Sequence, residues 1–96
     1  MVKTAKYAII IENAGSNFSA YSPDILGCVV TGKTVKETIR DMKKAIEFHF
    51  EGMVEDGVAI PKPATIVDEV ELLAPTDIVI AVDVVVPTLA IFMISS

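Results

Sequence analysis

Apolar positions recur at steps of three and four residues through the middle of the chain, over residues 34–56. At about 100° per residue, this spacing places them on one face of an amphipathic helix. Thr34 followed by Glu37 fits a capping box, and Gly57 fits a helix stop. The stripe consists of Val35, Ile39, Met42, Ile46, Phe50 and Met53. We therefore predict a helix over residues 34–56 that faces a hydrophobic core.

The segments before and after this helix have the character of strands. They are rich in β-branched and aromatic residues, and their side chains alternate between two faces. Three precede the helix, at residues 6–12, 17–22 and 27–31, and a fourth is predicted at residues 65–73. Two prolines keep the intervening residues 57–63 out of a helix. The pattern predicts an α+β fold, a βββαβ sheet with one long helix packed on one face.

Residues 78–94 form an apolar run interrupted only by Asp83, Pro87 and Thr88. The run is shorter than the ~20 residues of a typical membrane span, contains Asp83 and has no basic flank, so we do not expect a membrane protein. A β-branched run on a free edge promotes aggregation, so we expect a strand that pairs, by preference with another subunit. We therefore divide the chain into an α+β domain, residues 1–73, and an apolar extension for oligomerisation, residues 74–96. The residues expected to oligomerise are Phe48, Ile78, Ile80, Val82, Val84 and Val86.

Phe48 projects away from the apolar stripe, so it is either covered by another segment or an anchor for a partner. The helix charges also oppose the helix dipole, because all its basic residues lie in its first half and most of its acidic residues in its second. Two such helices packed antiparallel in a two-fold dimer would match opposite charges. A solvated face with no order among its charges is the alternative.

Composition favours association with other proteins. The chain of 96 residues is 52% apolar and 22% charged, which is rich in apolar residues for one small domain. The net charge is −5, and every charged residue after Lys62 is acidic. This balance disfavours nucleic-acid binding by the chain alone and suits a basic protein partner. The single Cys28 excludes an internal disulfide, and with no signal-peptide pattern we expect a cytoplasmic protein.

Catalytic and cofactor sites are not indicated by the sequence. His49 and Cys28 lack the partners of a catalytic triad, and one histidine and one cysteine leave only carboxylates as further metal ligands. We therefore expect no enzyme activity, cofactor or metal. The stretch 21–28 combines an aromatic ring, a rigid turn and aliphatic side chains, either as a binding loop or as a plain connection. The residues expected to face a partner are Tyr21, Pro23, Asp24, Ile25, Leu26, Cys28, Asp68, Glu69 and Glu71.

Several motifs, in order along residues 6–70, resemble the HicB-like antitoxin family. They are YSPD at 21–24, LGCVVTGKT at 26–34, KKAIEFHFEGMVEDG at 43–57 and AIPKP at 59–63. One departure is visible, because the family usually has Pro-Asp-Leu-Pro-Gly where this chain has Ile25-Leu26 between Asp24 and Gly27.

The resemblance implies a partial ribonuclease-H-like fold without that enzyme's catalytic acids. It also implies a HicA-like toxin as partner, a small basic ribonuclease whose active site the antitoxin covers. Many members carry a C-terminal helix-turn-helix or ribbon-helix-helix segment for DNA, and the apolar, acidic residues 74–96 match neither pattern.

Three hypotheses follow. The first is an antitoxin-like module that forms oligomers and sequesters a basic ribonuclease. The second is a stand-alone homo-oligomeric scaffold of the same fold with no toxin partner. The third, and least favoured, is a hydrolase that uses Asp24, His49 or Cys28.

Overall fold

The computed structural model describes residues 3–71 and 76–87. Its elements follow the order β1 (Lys3–Asn13), β2 (Phe18–Ser22), β3 (Ile25–Gly32), α1 (Val35–Glu55), a 3-10 turn (Val67–Glu69) and β4 (Ile78–Val86). The strands form one antiparallel sheet, and α1 packs on one of its faces. The predicted α+β class with one long helix is therefore confirmed.

The helix begins and ends where the sequence predicted. The Thr34 hydroxyl accepts a hydrogen bond from the Glu37 N–H at 3.0 Å, which satisfies one of the free donors of the first turn. Gly57 follows the helix with φ +69°, a conformation that glycine adopts without strain. The fully buried residues of α1 are Thr38, Met42, Ile46 and Phe50. Their spacing gives the helix one apolar face.

The core lies between this face and the inner side chains of the sheet. Tyr7 of β1 contacts Phe50 edge to face, with the ring centroids 5.4 Å apart. At one end of the helix the approach is closer still, because a Cβ atom at Gly32 would lie 2.4 Å from Thr38 Oγ1. A glycine at this position therefore lets α1 lie against β3.

The strand predicted at residues 65–73 is wrong over its described part. Residues 67–69 form the 3-10 turn, and the N–H groups of Glu69 and Val70 donate to the carbonyls of Ile66 and Val67. The backbone N–H of Thr65 donates to a side chain, Asp24. These local and side-chain bonds use the groups that a strand would pair with a neighbour. The last residues, 72 and 73, lie outside the described part of the chain.

The fourth strand of the sheet is instead the apolar run, β4. The sheet order is β3-β2-β1-β4, and β4 pairs with β1 from Val86 opposite Lys3 to Ile78 opposite Ile11. The described part of the run that we expected to pair between subunits thus pairs within its own chain, because β1 carries apolar residues on both faces and occupies the inside of the sheet. The proposed division of the chain at residues 73 and 74 lies outside the described residues.

Two polar contacts hold β4. Asp83 lies opposite Lys6 of β1, and Lys6 Nζ is 3.1 Å from Asp83 Oδ1 in an exposed ion pair. On the other side of the strand, the Val85 N–H donates a 2.6 Å hydrogen bond to Glu47 Oε2 of α1. An N–H bonded to the helix is not bonded to β1, so it lies on the outer edge of β4.

Candidate functional site

A bulge in β3 is the most irregular feature of the sheet. Ser22 pairs with Ile25 across the turn, but the next pair joins Tyr21 to Val29, so residues 26–28 have no opposite residues in β2. Gly27 has φ +83°, which suits a bulge. The bulge leaves the Leu26 side chain 87% exposed at the edge of the sheet. Among the described residues, Leu26 is the most exposed of the large apolar side chains.

Two adjoining grooves separate this bulge from α1. The larger, which we call the Phe48 groove, has a volume of about 390 Å³ and lies between Val29 and the helix residues Phe48 and Gly52. The smaller, the Leu26 groove, has a volume of about 240 Å³ and lies between Leu26 and Pro61. Both grooves are lined by His49 and Met53. Val29 is 62% and Phe48 77% exposed, so apolar groups also line the rim of the larger groove.

The wall of the Leu26 groove is fixed by Asp24. Its carboxylate accepts three hydrogen bonds, from the N–H groups of Ala64 and Thr65 at 3.0 Å each and from the Thr65 hydroxyl at 2.8 Å. Burial alone would raise the pKa of the Asp24 carboxyl, but these hydrogen bonds outweigh it and hold the pKa below its usual value. Asp24 thus ties the β2–β3 turn to the segment after the helix.

A second hydrogen bond, from Tyr7 in the core, also holds the segment that follows the helix. The hydroxyl of the fully buried Tyr7 donates a 2.6 Å hydrogen bond to the carbonyl oxygen of Pro61. Burial, together with the nearby Asp24 charge, raises the pKa of the Tyr7 hydroxyl, so it stays protonated and remains a donor. The groove therefore has a preformed wall.

The predicted partner-facing residues fall into three environments. Pro23 and Leu26 are exposed, and so are the acidic residues Asp68, Glu69 and Glu71. Asp24 and Tyr21 are half-buried, and Tyr21 lies between Ile10 and Val29 on the sheet face away from the helix. Ile25 and Cys28 belong to the hydrophobic core. Only the exposed members of the set have side chains that are largely accessible at the surface.

The predicted oligomerisation residues are also divided. Val82, Val84 and Val86 are buried in the core of their own chain, and Ile78 and Ile80 pack partly buried against that core. Phe48 alone of this set is largely exposed. A role of these residues in oligomerisation stays a prediction.

The groove residues are poorly suited to catalysis. Burial raises the pKa of the Cys28 thiol, which keeps it in the weakly nucleophilic protonated form. The Asp24 oxygens are occupied by backbone and hydroxyl donors. Among residues 3–71 and 76–87, no three His, Cys, Asp or Glu side chains gather in a cluster that could hold a metal ion.

Sequence analysis missed Val29, Val58 and Gly52 as surface features. Val29 and Val58 are 62% and 48% exposed, although β-branched residues on strands are more often buried. Gly27, a glycine inside an apolar strand pattern, was the one available signal for the bulge that turns Val29 outward. In the part of the chain that the structure describes, no helix has the length and apolar character needed to cross a membrane.

Comparisons with known proteins agree on one family. Residues 7–90 match the family described as HicB-like antitoxin of bacterial toxin–antitoxin systems. A 14.9 kDa protein of Haemophilus phage HP1 is 41% identical over 56 residues, 58% of this chain, and this match spans only 42% of the phage protein. The N-terminal domain of Burkholderia pseudomallei antitoxin HicB has a similar fold, with TM-score 0.67, 22% identity and coverage of 80% of this chain and 94% of that domain. A chain from a HicA3–HicB3 toxin–antitoxin complex has TM-score 0.67 and 26% identity, with 82% of this chain and 96% of that chain covered.

Proposed function

Because the chain belongs to the HicB-like antitoxin family, we propose that it sequesters a small, basic HicA-type ribonuclease by covering its active site. The observation that carries this proposal is the similarity over 82% of the chain to a component of a toxin–antitoxin complex. The mechanism is binding without catalysis. Two observations support this: burial raises the pKa of the Cys28 thiol, and the Asp24 carboxylate already accepts three hydrogen bonds.

We place the toxin contact on the β2–β3 turn. Leu26 is the most exposed of the large apolar side chains in the described chain, and its neighbour Pro23 is exposed as well. The turn is held by the Asp24 hydrogen bonds, so little conformational freedom is lost when a partner covers it. Burial of an exposed leucine side chain against a partner would add about 1.5–3 kcal/mol of hydrophobic stabilisation.

An acidic segment lies next to this turn. Asp24 holds Thr65, and the chain can extend no more than about 11 Å over the three residues from Thr65 to Asp68. Glu69 and Glu71 continue the acidic segment, and all three carboxylates are exposed. Acidic groups beside an apolar anchor fit the basic surface of a ribonuclease, where they would replace the negative charge of RNA.

Co-expression tests the proposal. The small protein encoded next to this chain should arrest growth when expressed alone and RNA should be cleaved, whereas co-expression should restore growth. The tagged chain should retain the toxin during purification. A neighbouring protein that is harmless, or that is not retained, would contradict the antitoxin role, and a pure homo-oligomer without it would favour the scaffold alternative.

Surface variants then test the contact. We expect Leu26→Ser to weaken toxin binding by about tenfold or more, because the buried apolar area of the leucine side chain is lost. Val85→Ser is the matched control, since Val85 is an exposed aliphatic residue on the opposite edge of the sheet. The paired change Asp68→Asn and Glu69→Gln should slow association and reduce its salt dependence. Equal binding by Leu26→Ser and Val85→Ser would rule out the β2–β3 turn as the contact.

A further inference from the structure

The edge of the sheet that β3 forms has free main-chain groups. Among the described strands, β3 lies outermost on its side of the sheet, beside β2. In an antiparallel sheet both main-chain groups of a residue point to the same side, and successive residues alternate. Val85 points away from β1, so this alternation, followed through the paired residues of β1 and β2, makes Ala20 and Val30 a hydrogen-bonded pair. Val29 and Thr31 therefore direct their N–H and C=O groups outward.

The Phe48 groove runs beside this edge. It lies between residues 27–29 of β3 and the helix. Val29 pairs with Tyr21 on the sheet face away from α1, so the main chain of Val29 is the part that borders the groove. PDZ and PTB domains bind extended peptides by adding a strand at an exposed sheet edge, with pockets for alternate side chains. The β3 edge and the Phe48 groove supply both parts of such a site.

The side of α1 that lines the groove is apolar in its middle and acidic at its ends. At about 100° per residue, Ala45, Phe48 and Gly52 form a row on this side, and all three line the groove. The same row continues to Asp41 in one direction. In the other direction it reaches Asp56, which also lines the groove.

Most of the basic residues of α1 lie on its other side. Lys36, Arg40 and Lys43 share the helix side of Glu47, whose carboxylate bonds to β4. Lys44 lies between the two sides. Because β3 and β4 are opposite edges of the sheet, the basic side is turned away from the Phe48 groove. The groove therefore suits a ligand that is apolar at its centre and basic on its flanks.

We propose that the free edge of β3 and the Phe48 groove bind an extended, basic segment of the toxin, which adds to the four-stranded sheet as a further strand. This inference rests on the antitoxin function proposed above and gives the way in which the toxin is held. The segment bonds to the outward main-chain groups of Val29 and Thr31. Its side chains alternate between the two faces of the sheet, so those that face α1 enter the groove. An apolar residue there covers Phe48, and basic residues on its flanks meet Asp41 and Asp56.

Proline at position 31 tests the strand addition. Thr31→Pro removes one outward N–H and places a ring in the path of the incoming strand, but leaves the hydrogen bonds to β2 in place. Thr31→Val is the matched control, because it keeps the N–H. We expect Thr31→Pro to bind the toxin encoded next to this chain about tenfold or more weakly than Thr31→Val, with both variants folded by circular dichroism. Equal binding by the two variants would overturn the proposal.

Gly52→Leu tests the groove without a change in the edge strand. A Cβ atom at Gly52 meets nothing within 4 Å, so the leucine enters open space in the free chain but takes the room that the toxin side chain needs. We expect toxin binding weaker by about tenfold or more, and a melting temperature no lower than that of the wild type. Lys43→Leu places the same side chain on the other side of α1 and should bind like the wild type. Full toxin binding by Gly52→Leu would contradict the use of the groove.

Neutral variants test the basic character of the segment. Asp41→Asn combined with Asp56→Asn should slow association with the toxin and reduce its salt dependence. Asp77→Asn combined with Asp83→Asn makes the same change of charge at the opposite edge of the sheet and is the control. If the two double variants have the same effect, the ends of the groove do not contact basic groups.

Hydrogen exchange detects the added strand directly. The outward N–H groups of Val29 and Thr31 should exchange quickly in the free chain, and toxin binding should slow them by about tenfold or more. Ala81, which points outward on β4 by the same alternation, is the control and should not change. Unchanged exchange at Val29 and Thr31 in the complex would overturn the proposal. Protection already present in the free chain would overturn it as well, because the chain itself or a second copy would then hold the edge.

These outcomes separate the mode of binding from the antitoxin function. A wild type that does not retain the toxin contradicts the function itself. Toxin retained equally by the wild type, Thr31→Pro and Gly52→Leu supports the function and rules out strand addition at β3.

Discussion

Asp24 and Thr65 lie 41 positions apart in the chain and are joined by two hydrogen bonds. The Thr65 hydroxyl donates to Asp24 Oδ1 at 2.8 Å, and the Thr65 N–H donates to Oδ2 at 3.0 Å. The Ala64 N–H donates to Oδ2 as well. The turn that we propose as the toxin contact is therefore supported by residues beyond the helix.

Replacing Asp24 should loosen this support. Asp24→Asn puts an amide in place of one carboxylate oxygen and removes the charge, so we expect the free energy of unfolding to fall by about 1–3 kcal/mol. Urea titration followed by circular dichroism measures it. Asp77→Asn is a control of equal charge change near the start of β4. Equal stabilities of the two variants would show that the Asp24 hydrogen bonds contribute little.

The same carboxylate predicts how stability depends on acid. The folded-state pKa of Asp24 lies below its unfolded value, so its contribution is fully present above the unfolded pKa of about 3.9 and is lost as the pH falls through the folded value. Below about pH 4, the wild type should therefore lose stability more steeply than Asp24→Asn. Carboxyl groups titrate between about pH 5 and about pH 2. Plots of stability against pH that run parallel for the two proteins over this range would contradict the prediction.

The contribution of Tyr7 to stability should be lost at alkaline pH. The raised pKa of Tyr7 means that the protonated hydroxyl is favoured by folding, so its contribution is present below the unfolded pKa of about 10 and is lost as the pH rises through the folded value. Tyr7→Phe keeps the ring contact with Phe50 but leaves the Pro61 carbonyl without its donor. We expect a loss of about 1 kcal/mol at neutral pH and a flatter stability curve above pH ~10. Thermal unfolding at several pH values measures both.

Replacement by alanine should change the free energy of unfolding in opposite directions at Gly32 and Gly52. Gly32→Ala places a Cβ atom 2.4 Å from Thr38 Oγ1, against a residue that is itself fully buried, so we expect a loss of about 1–3 kcal/mol. Gly52→Ala meets open space and should gain about 0.5–1 kcal/mol from helix propensity. Because association also raises apparent stability, both variants should be compared with the wild type at the same protein concentration.

Cys28 should be unreactive in the folded protein. It is 5% exposed and its thiol pKa is raised by burial, so the thiolate that reacts with disulfide reagents is scarce. Labelling at pH 8 should be at least about tenfold slower than in the unfolded chain, where the thiol pKa returns to about 8.5. Rapid labelling of the native protein would show that the bulge opens frequently.

The helix and three of the strands could be predicted because their patterns are local. The spacing from Val35 to Met53, the Thr34 cap and the alternation in β2 each depend on neighbouring residues. The position of β4 could not be predicted in this way, since an apolar strand pairs equally well with β1 of its own chain or with another copy. The pairing of residues 78–86 with β1 is decided by tertiary contacts and not by the local sequence.

The candidate site was harder to predict for a related reason. The sequence predicts either a binding loop or a plain connection over residues 21–28, yet Ile25 and Cys28 point into the core while Leu26 points out. This division depends on the bulge, which changes the alternation within three residues. The strand expected at 65–73 failed because Asp24, far away in the sequence, takes the N–H of Thr65.

The hydrogen bond between Val85 and Glu47 should favour solubility, because it covers part of the edge of β4. The Glu47 carboxylate accepts the N–H of Val85, on the outer edge of β4, a strand made mostly of β-branched residues. An incoming strand from a misfolded neighbour would have to displace a charged acceptor before it could add there. The helix that closes the core thus also shields β4 from seeding fibrils.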